Sequence, residues 1–262
     1  MTLVLSASLS GQLAFMTSDT RVVRAKYKTW DLDAGEAERD ENEPLVVCDH
    51  KQSKTHRLSD FVLLGAGGIA ELSMHLTDIL KQEVKPEHDL ADCRQILEAV
   101  IERERANKDG PDFLNFLNID EGVSVIMNGF YRDGCTGLVC FKAGKDAKVT
   151  EDKSLNGYQY TLIAPAKEYL RRTEELFNIP KLKDESIFEG LSPVERGKIV
   201  FQTIFDHLVM IHGVTSYNHP VEISPDFEVH IITVEDGVHR YHLSQIDLTE
   251  THKLYDELKA LA

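Results

Sequence analysis

Strand-like runs in this chain come in hairpins and helix-like runs come in pairs, and that order restricts the fold more than any single motif. Leu3-Val4-Leu5-Ser6-Ala7-Ser8-Leu9 passes through the turn signal Ser10-Gly11-Gln12 into Leu13-Ala14-Phe15-Met16-Thr17. Val22-Val23, Leu45 to Cys48, Thr55 to Leu58 and the apolar run Phe61-Val62-Leu63-Leu64 follow. Two helices come next. Ile69, Leu72, Leu76, Ile79 and Leu80 fall at helical spacing, and beyond Pro86 so do Leu90, Cys93, Ile96, Leu97, Val100 and Ile101. After Gly110-Pro111 the strand patterns return at Val123–Met127, Gly137–Phe141 and Lys148–Thr150. A second helical pair is expected over Ala164–Phe177 and from the capping box Ser192-Pro193-Val194-Glu195 to Gly213. Strands over Val229–Ile232 and Arg240–Leu243 turn at Glu235-Asp236-Gly237, and a last helix starts near Thr249. Strands that pair without an intervening helix make antiparallel sheets. The expectation is an α+β fold: one domain over residues 1–262, with two mostly antiparallel sheets face to face and helices outside, a four-layer α/β/β/α sandwich.

The chain of 262 residues is long enough for a sizeable core, and 42% hydrophobic content is ordinary for a globular protein. A net charge of -15 argues against a nucleic-acid partner, whose phosphates call for a basic surface. Cys48, Cys93, Cys135 and Cys140 lack CxxC spacing, so neither a zinc site nor a disulfide framework is expected. Leu3 to Leu9 is short, contains serines and lacks a basic flank, so no leader is expected there, nor is any apolar run long enough to span a membrane. A reduced, cytoplasmic setting follows by default. Residues 30–53 hold the acidic stretch Asp31 to Pro44, which has no periodicity and is expected to be an exposed loop insertion.

Two motifs invite other chemistry. Gly65-Ala66-Gly67-Gly68-Ile69-Ala70 has the spacing of a dinucleotide fingerprint, but no second parallel strand follows the helix, so no cofactor is expected. Amides at a strand-to-helix turn still suit a developing anion. Among the histidines, His207 with His212 and His239 with His242 lack ligand spacing with a supporting acid, so no metal is expected. Thr2 is the remaining chemical signal. With Met1 removed, as is usual before a small residue, Thr2 carries a hydroxyl nucleophile and an α-amine base on one residue.

Thr2 behind Met1, Asp19-Thr20-Arg21 closing the first hairpin, and Lys54 through the strand to Gly68 together resemble the proteasome β-subunit family of N-terminal-nucleophile hydrolases. The Lys54-to-Gly68 spacing matches that family without a gap, and the family's fold is the four-layer sandwich. The resemblance implies Thr2 as nucleophile, Lys54 as the cation lowering its pKa and Asp19 as the group orienting Lys54. It implies Arg21 as a structural support, the Gly68 amide as oxyanion donor, and Val22, Ala66 and Ala70 as substrate-binding positions. It also implies a polypeptide substrate, a homo-oligomeric ring and an ATP-dependent unfoldase as partner. The family's second-half serine has no clear counterpart in Ile163-Ala164-Pro165-Ala166, and Thr215-Ser216-Tyr217-Asn218 resembles the family's Asp-Ser-Tyr-Ser with threonine replacing aspartate. A threonine peptidase is the leading expectation. A transpeptidase or ligase using the same threonine, or a catalytically silent scaffold subunit, are the alternatives.

Overall fold

The computed structural model describes residues 2–31, 36–40, 42–106, 122–144, 147–154, 158–163 and 185–261. Its elements alternate as the sequence order requires. Strands β1 (Val4–Leu9), β2 (Leu13–Asp19), β3 (Arg21–Arg24), β4 (Tyr27–Asp31), β5 (Glu36–Arg39), β6 (Val46–Lys51), β7 (Thr55–Arg57) and β8 (Val62–Gly68) lead to helices α1 (Ala70–Glu83) and α2 (Leu90–Ala106). Strands β9 (Val123–Phe130), β10 (Thr136–Lys142), β11 (Val149–Ser154) and β12 (Tyr158–Ile163) follow. Helix α3 (Pro193–Asn218), strands β13 (Asp226–Glu235) and β14 (Val238–Asp247), and helix α4 (Thr249–Leu261) complete the chain. The helix expected over Ala164–Phe177 lies outside the described residues.

Two five-stranded sheets result, ordered β12-β1-β2-β13-β14 and β11-β10-β9-β8-β7, with two-stranded ribbons β3-β6 and β4-β5 beside them. All strand pairs are antiparallel. The fold is therefore α+β with antiparallel sheets.

The period-two alternation of a strand decides which side chain goes where. In β1 and β2, Leu5, Ala7, Leu9, Leu13 and Phe15 pack with Ile204, Leu208 and Ile211 of α3. Their neighbours Val4, Ala14 and Met16 point the other way and meet Leu63, Ile126, Phe130 and Leu138 of the second sheet. On that sheet's other face, Val62, Leu64, Val125 and Met127 pack with Leu72, Leu76, Leu80, Leu97 and Val100 of α1 and α2. Strands buried on both faces read as unbroken apolar or small-residue runs, which is how the first hairpin is written. Between the sheets Asn128, fully buried on β9, donates through Nδ2 to Ser6 Oγ at 2.9 Å, Ala7 O at 2.7 Å and Phe15 O at 3.1 Å.

Local chemistry terminates the elements. Ser192 Oγ accepts from Glu195 N at 3.4 Å while Glu195 Oε2 accepts from Ser192 N at 2.9 Å, so the capping box opens α3. Asp236 (φ 51°) and Gly237 (φ 76°) turn β13 into β14 as a primed hairpin requires. Two sequence expectations are revised, and one strand was missed. Helix α3 runs through Gly213 to Asn218, because Gly213 is a packing position whose added Cβ would lie 3.2 Å from Leu248 Cδ1. Strand β12 was not legible, its Tyr-Gln-Tyr-Thr-Leu-Ile offering only a weak alternation. The stretch Asp31 to Pro44, expected as an irregular acidic loop, holds the end of β4 and β5, whereas β6 falls on the strand expected at Leu45 to Cys48.

Candidate active site

The end of the first hairpin folds back on the start of the chain. Asp19, fully buried, is the junction. Its Oδ1 accepts from Leu3 N at 2.8 Å, and its Oδ2 accepts from Lys54 Nζ at 2.7 Å and from Arg21 N at 3.1 Å. The backbone reciprocates, Asp19 N donating to Leu3 O at 3.2 Å. One carboxylate thus ties the residue after Thr2 to the Lys54 ammonium. A buried carboxylate holding three donors, one of them cationic, is electrostatically satisfied.

Lys54 precedes β7, and its carbonyl accepts from Ala66 N at 2.9 Å, so β8 fixes its backbone. Its neighbour Ser53 donates to Glu228 Oε2 at 2.5 Å, which fastens the same segment to β13. Burial pushes the Lys54 pKa down; the Asp19 carboxylate opposes that shift, and the Arg21 cation adds to it.

Thr2 is itself buried and lies against β8. A Cβ added to Gly67 would stand 2.9 Å from Thr2 Cγ2 and 3.0 Å from Thr2 Cβ, so only glycine lets the two segments approach. The next residue, Gly68, adopts φ 113°, and a Cβ there would fall 2.3 Å from Gly122 O. Both conformation and space demand glycine at the entrance to α1.

These residues line one cleft of about 1050 Å³. Thr2, Arg21, Val22, Lys54, Ala66, Gly68 and Ala70 all face it; Asp19 lies behind it, buried under Lys54. The residues to which the resemblance assigns a role, Thr2, Asp19, Arg21, Val22, Lys54, Ala66, Gly68 and Ala70, are therefore in this wall or directly behind it. Arg21 reaches across its rim, its Nη1 donating to the Pro220 carbonyl beyond α3.

Thr215 and Ser216 are not part of the wall. Their hydroxyls donate to Ile211 O at 2.7 Å and His212 O at 2.8 Å, one turn back in α3. Of Ile163 to Ala166 only Ile163 is described, and it lines the cleft. What sequence reasoning missed is the share of the lining given by Arg24, Tyr27, Arg39, Leu45 and Cys48, all from residues 21–51.

Neither the family models nor the curated proteins contain a match to this chain. Among the described residues no helix is long and apolar enough to cross a membrane.

Proposed function

We propose that this chain is a threonine-type N-terminal-nucleophile hydrolase that cleaves peptide amides, built on the four-layer α/β/β/α sandwich of that class. The observation that carries the reading is the Asp19 carboxylate shared by Leu3 N and Lys54 Nζ, which holds Thr2 and a buried ammonium at one cleft wall. The three core clusters support the layering: sheet against sheet, with α1 and α2 on one outer face and α3 on the other.

With Met1 removed, the Thr2 α-amine takes the hydroxyl proton, directly or through water, as Oγ1 attacks the substrate carbonyl carbon. The buried Lys54 ammonium favours the developing alkoxide. The carbonyl electrons move onto oxygen, where the Gly68 amide is the assigned donor. Collapse expels the amine product, which receives the proton, and leaves an ester on Thr2. Water then attacks the ester and regenerates the hydroxyl. Val22, Ala66 and Ala70 border the side-chain pocket, where small residues leave room for a bulky group.

Intact mass with and without a β-lactone or epoxyketone tests this reading. Loss of one methionine with a single adduct on Thr2 is the expected result. Retained Met1 with no adduct would instead identify a silent subunit of an assembly. Adding an amine acceptor separates hydrolysis from transpeptidation by the mass of the released product.

A further inference from the structure

The charge inside the cleft opposes the charge of the protein. Acidic residues outnumber basic ones by 44 to 29 in the chain, so a cleft drawn at random from its charged residues would be mostly acidic. Among the described residues the wall holds six cations, Arg21, Arg24, Arg39, Lys54, Lys142 and Lys148, and one carboxylate, Glu71. Lys54 is committed to Asp19, Arg21 to the Pro220 carbonyl, and Lys142 also has a contact of its own. Arg24 and Lys148 are exposed and enter no ion pair among the described residues. Arg39 is the most telling. The residue is half-buried, and its Nε is buried without a hydrogen-bond partner among the described residues, although a buried polar nitrogen is expected to be paired.

The ribbons explain how an acidic segment presents a cationic face. Successive side chains of a strand alternate in direction. On β5, Arg39 lines the cleft whereas Glu38 is exposed outside it, 3.7 Å from Lys28. Glu43 likewise pairs with Lys26 at 2.9 Å, away from the wall. Glu38 and Glu43 therefore pair with outer lysines, while Arg24 and Arg39 line the cleft.

We propose that the cleft selects polypeptide segments rich in aspartate and glutamate, with Arg24, Arg39 and Lys148 receiving the substrate carboxylates. The inference rests on the peptidase reading above and adds its substrate class. A cleft of one sign between low-dielectric walls concentrates oppositely charged ligands. The negative remainder of the molecule does not cancel this, because charges more than about 10 Å away are largely screened near 0.1 M salt. Guanidinium groups also match carboxylates bidentately.

The test uses the full chain carrying Thr2→Ala, which binds without turnover, and measures fluorescence anisotropy of labelled glutamate-rich, neutral and lysine-rich peptides of equal length. The glutamate-rich peptide should bind about tenfold or more tightly than the neutral one, and most of that preference should vanish as salt rises from about 0.05 M to about 0.5 M. Arg24→Gln with Arg39→Gln, and separately the exposed Lys148→Gln, should erode the preference. The same substitutions in the Thr2-intact protein should leave β-lactone labelling unchanged, which also reports that they fold. Equal binding of acidic and neutral peptides, an undiminished preference in the variants, or tighter binding of a single-stranded oligonucleotide than of the acidic peptide would each overturn the proposal. Acid-selective binding without any Thr2 adduct would sink the peptidase reading and leave the anion-selecting cleft standing. An adduct without selectivity would do the reverse.

Discussion

Asp19 and Lys54 are buried together, and each makes the other tolerable. Replacing Lys54 by alanine leaves a fully buried carboxylate with only amide donors, a change that typically costs about 3–5 kcal/mol. The same substitution should slow β-lactone labelling of Thr2 by roughly a hundredfold or more, since it removes a preorganised cation from the reacting hydroxyl. Labelling that persists in a folded Lys54→Ala protein would exclude Lys54 from activation. Gly68→Ala is expected to be disruptive for a separate reason: φ 113° and a 2.3 Å approach to Gly122 O both oppose a Cβ. Its cost should exceed about 1–3 kcal/mol in a denaturant titration, with loss of labelling. His212 makes a pH prediction. It stacks on Phe227 at 4.0 Å between centroids, its Nε2 bonds to Ser224 O at 3.0 Å, and burial holds its pKa down at about 4, against 6.5 for a free histidine. The unfolded chain takes up a proton below pH 6.5 that the folded protein refuses until about pH 4, so the stabilising contribution is complete above 6.5 and disappears as pH falls through that window. The loss approaches about 3 kcal/mol from this one residue. Urea midpoints at pH 7 and pH 4.5 should differ less in His212→Phe than in the parent protein. Of these residues, Asp19, Lys54 and Gly68 were legible because a motif spacing singles them out; His212 was not, because nothing local tells a buried imidazole from an exposed one.

The ribbon β4-β5 is the element whose structure departs furthest from its sequence. Asp31 to Pro44 carries so many acids that no apolar face shows, and apolar periodicity is the only local sign of a strand. Its order comes from pairing, Tyr27 to Asp31 against Glu36 to Arg39, and from the cleft behind it. Arg24 lies directly opposite Val46, so an Asn-Gly turn joining these two residues should close a β3-β6 hairpin in place of residues 25–45. That shortened protein is expected to keep β-lactone labelling of Thr2 and to lose preference for acidic peptides; loss of labelling would show that the ribbon supports the nucleophile as well. Helix α3 behaves in the opposite way. Its capping box was plain in Ser192-Pro193-Val194-Glu195, and Ser192→Ala should lower stability by about 1 kcal/mol in a thermal melt without altering labelling.

At the scale of the molecule, both chain halves meet at the same place. β1 and β2 pair with β12 and β13 in one sheet, while Lys54 and Gly68 come from the other, so the candidate site exists only when the two sheets stack. Asn128 is a buried polar tie between them, beside Lys54 on Asp19 and Ser53 on Glu228, and Asn128→Ala should cost about 1–3 kcal/mol in chemical unfolding by stranding Ser6 Oγ and removing three contacts. An unchanged midpoint would mean that the Asn128 bonds add nothing to the packing of the sheets. Periodicity, turn residues and caps act over a few neighbours, and they were enough to specify the hairpins β1-β2, β9-β10 and β13-β14, the helices α1, α2, α3 and α4 and the antiparallel character of the sheets. Asp19 bridging Leu3 and Lys54, Thr2 lying on Gly67, and Arg39 facing a cleft while Glu38 faces out all join residues distant in sequence or depend on strand direction. No local pattern encodes them. The contacts of Asp19 and Thr2 arise from burial of both faces of the first hairpin, and the facing of Arg39 from pairing of β5 with β4 beside the cleft.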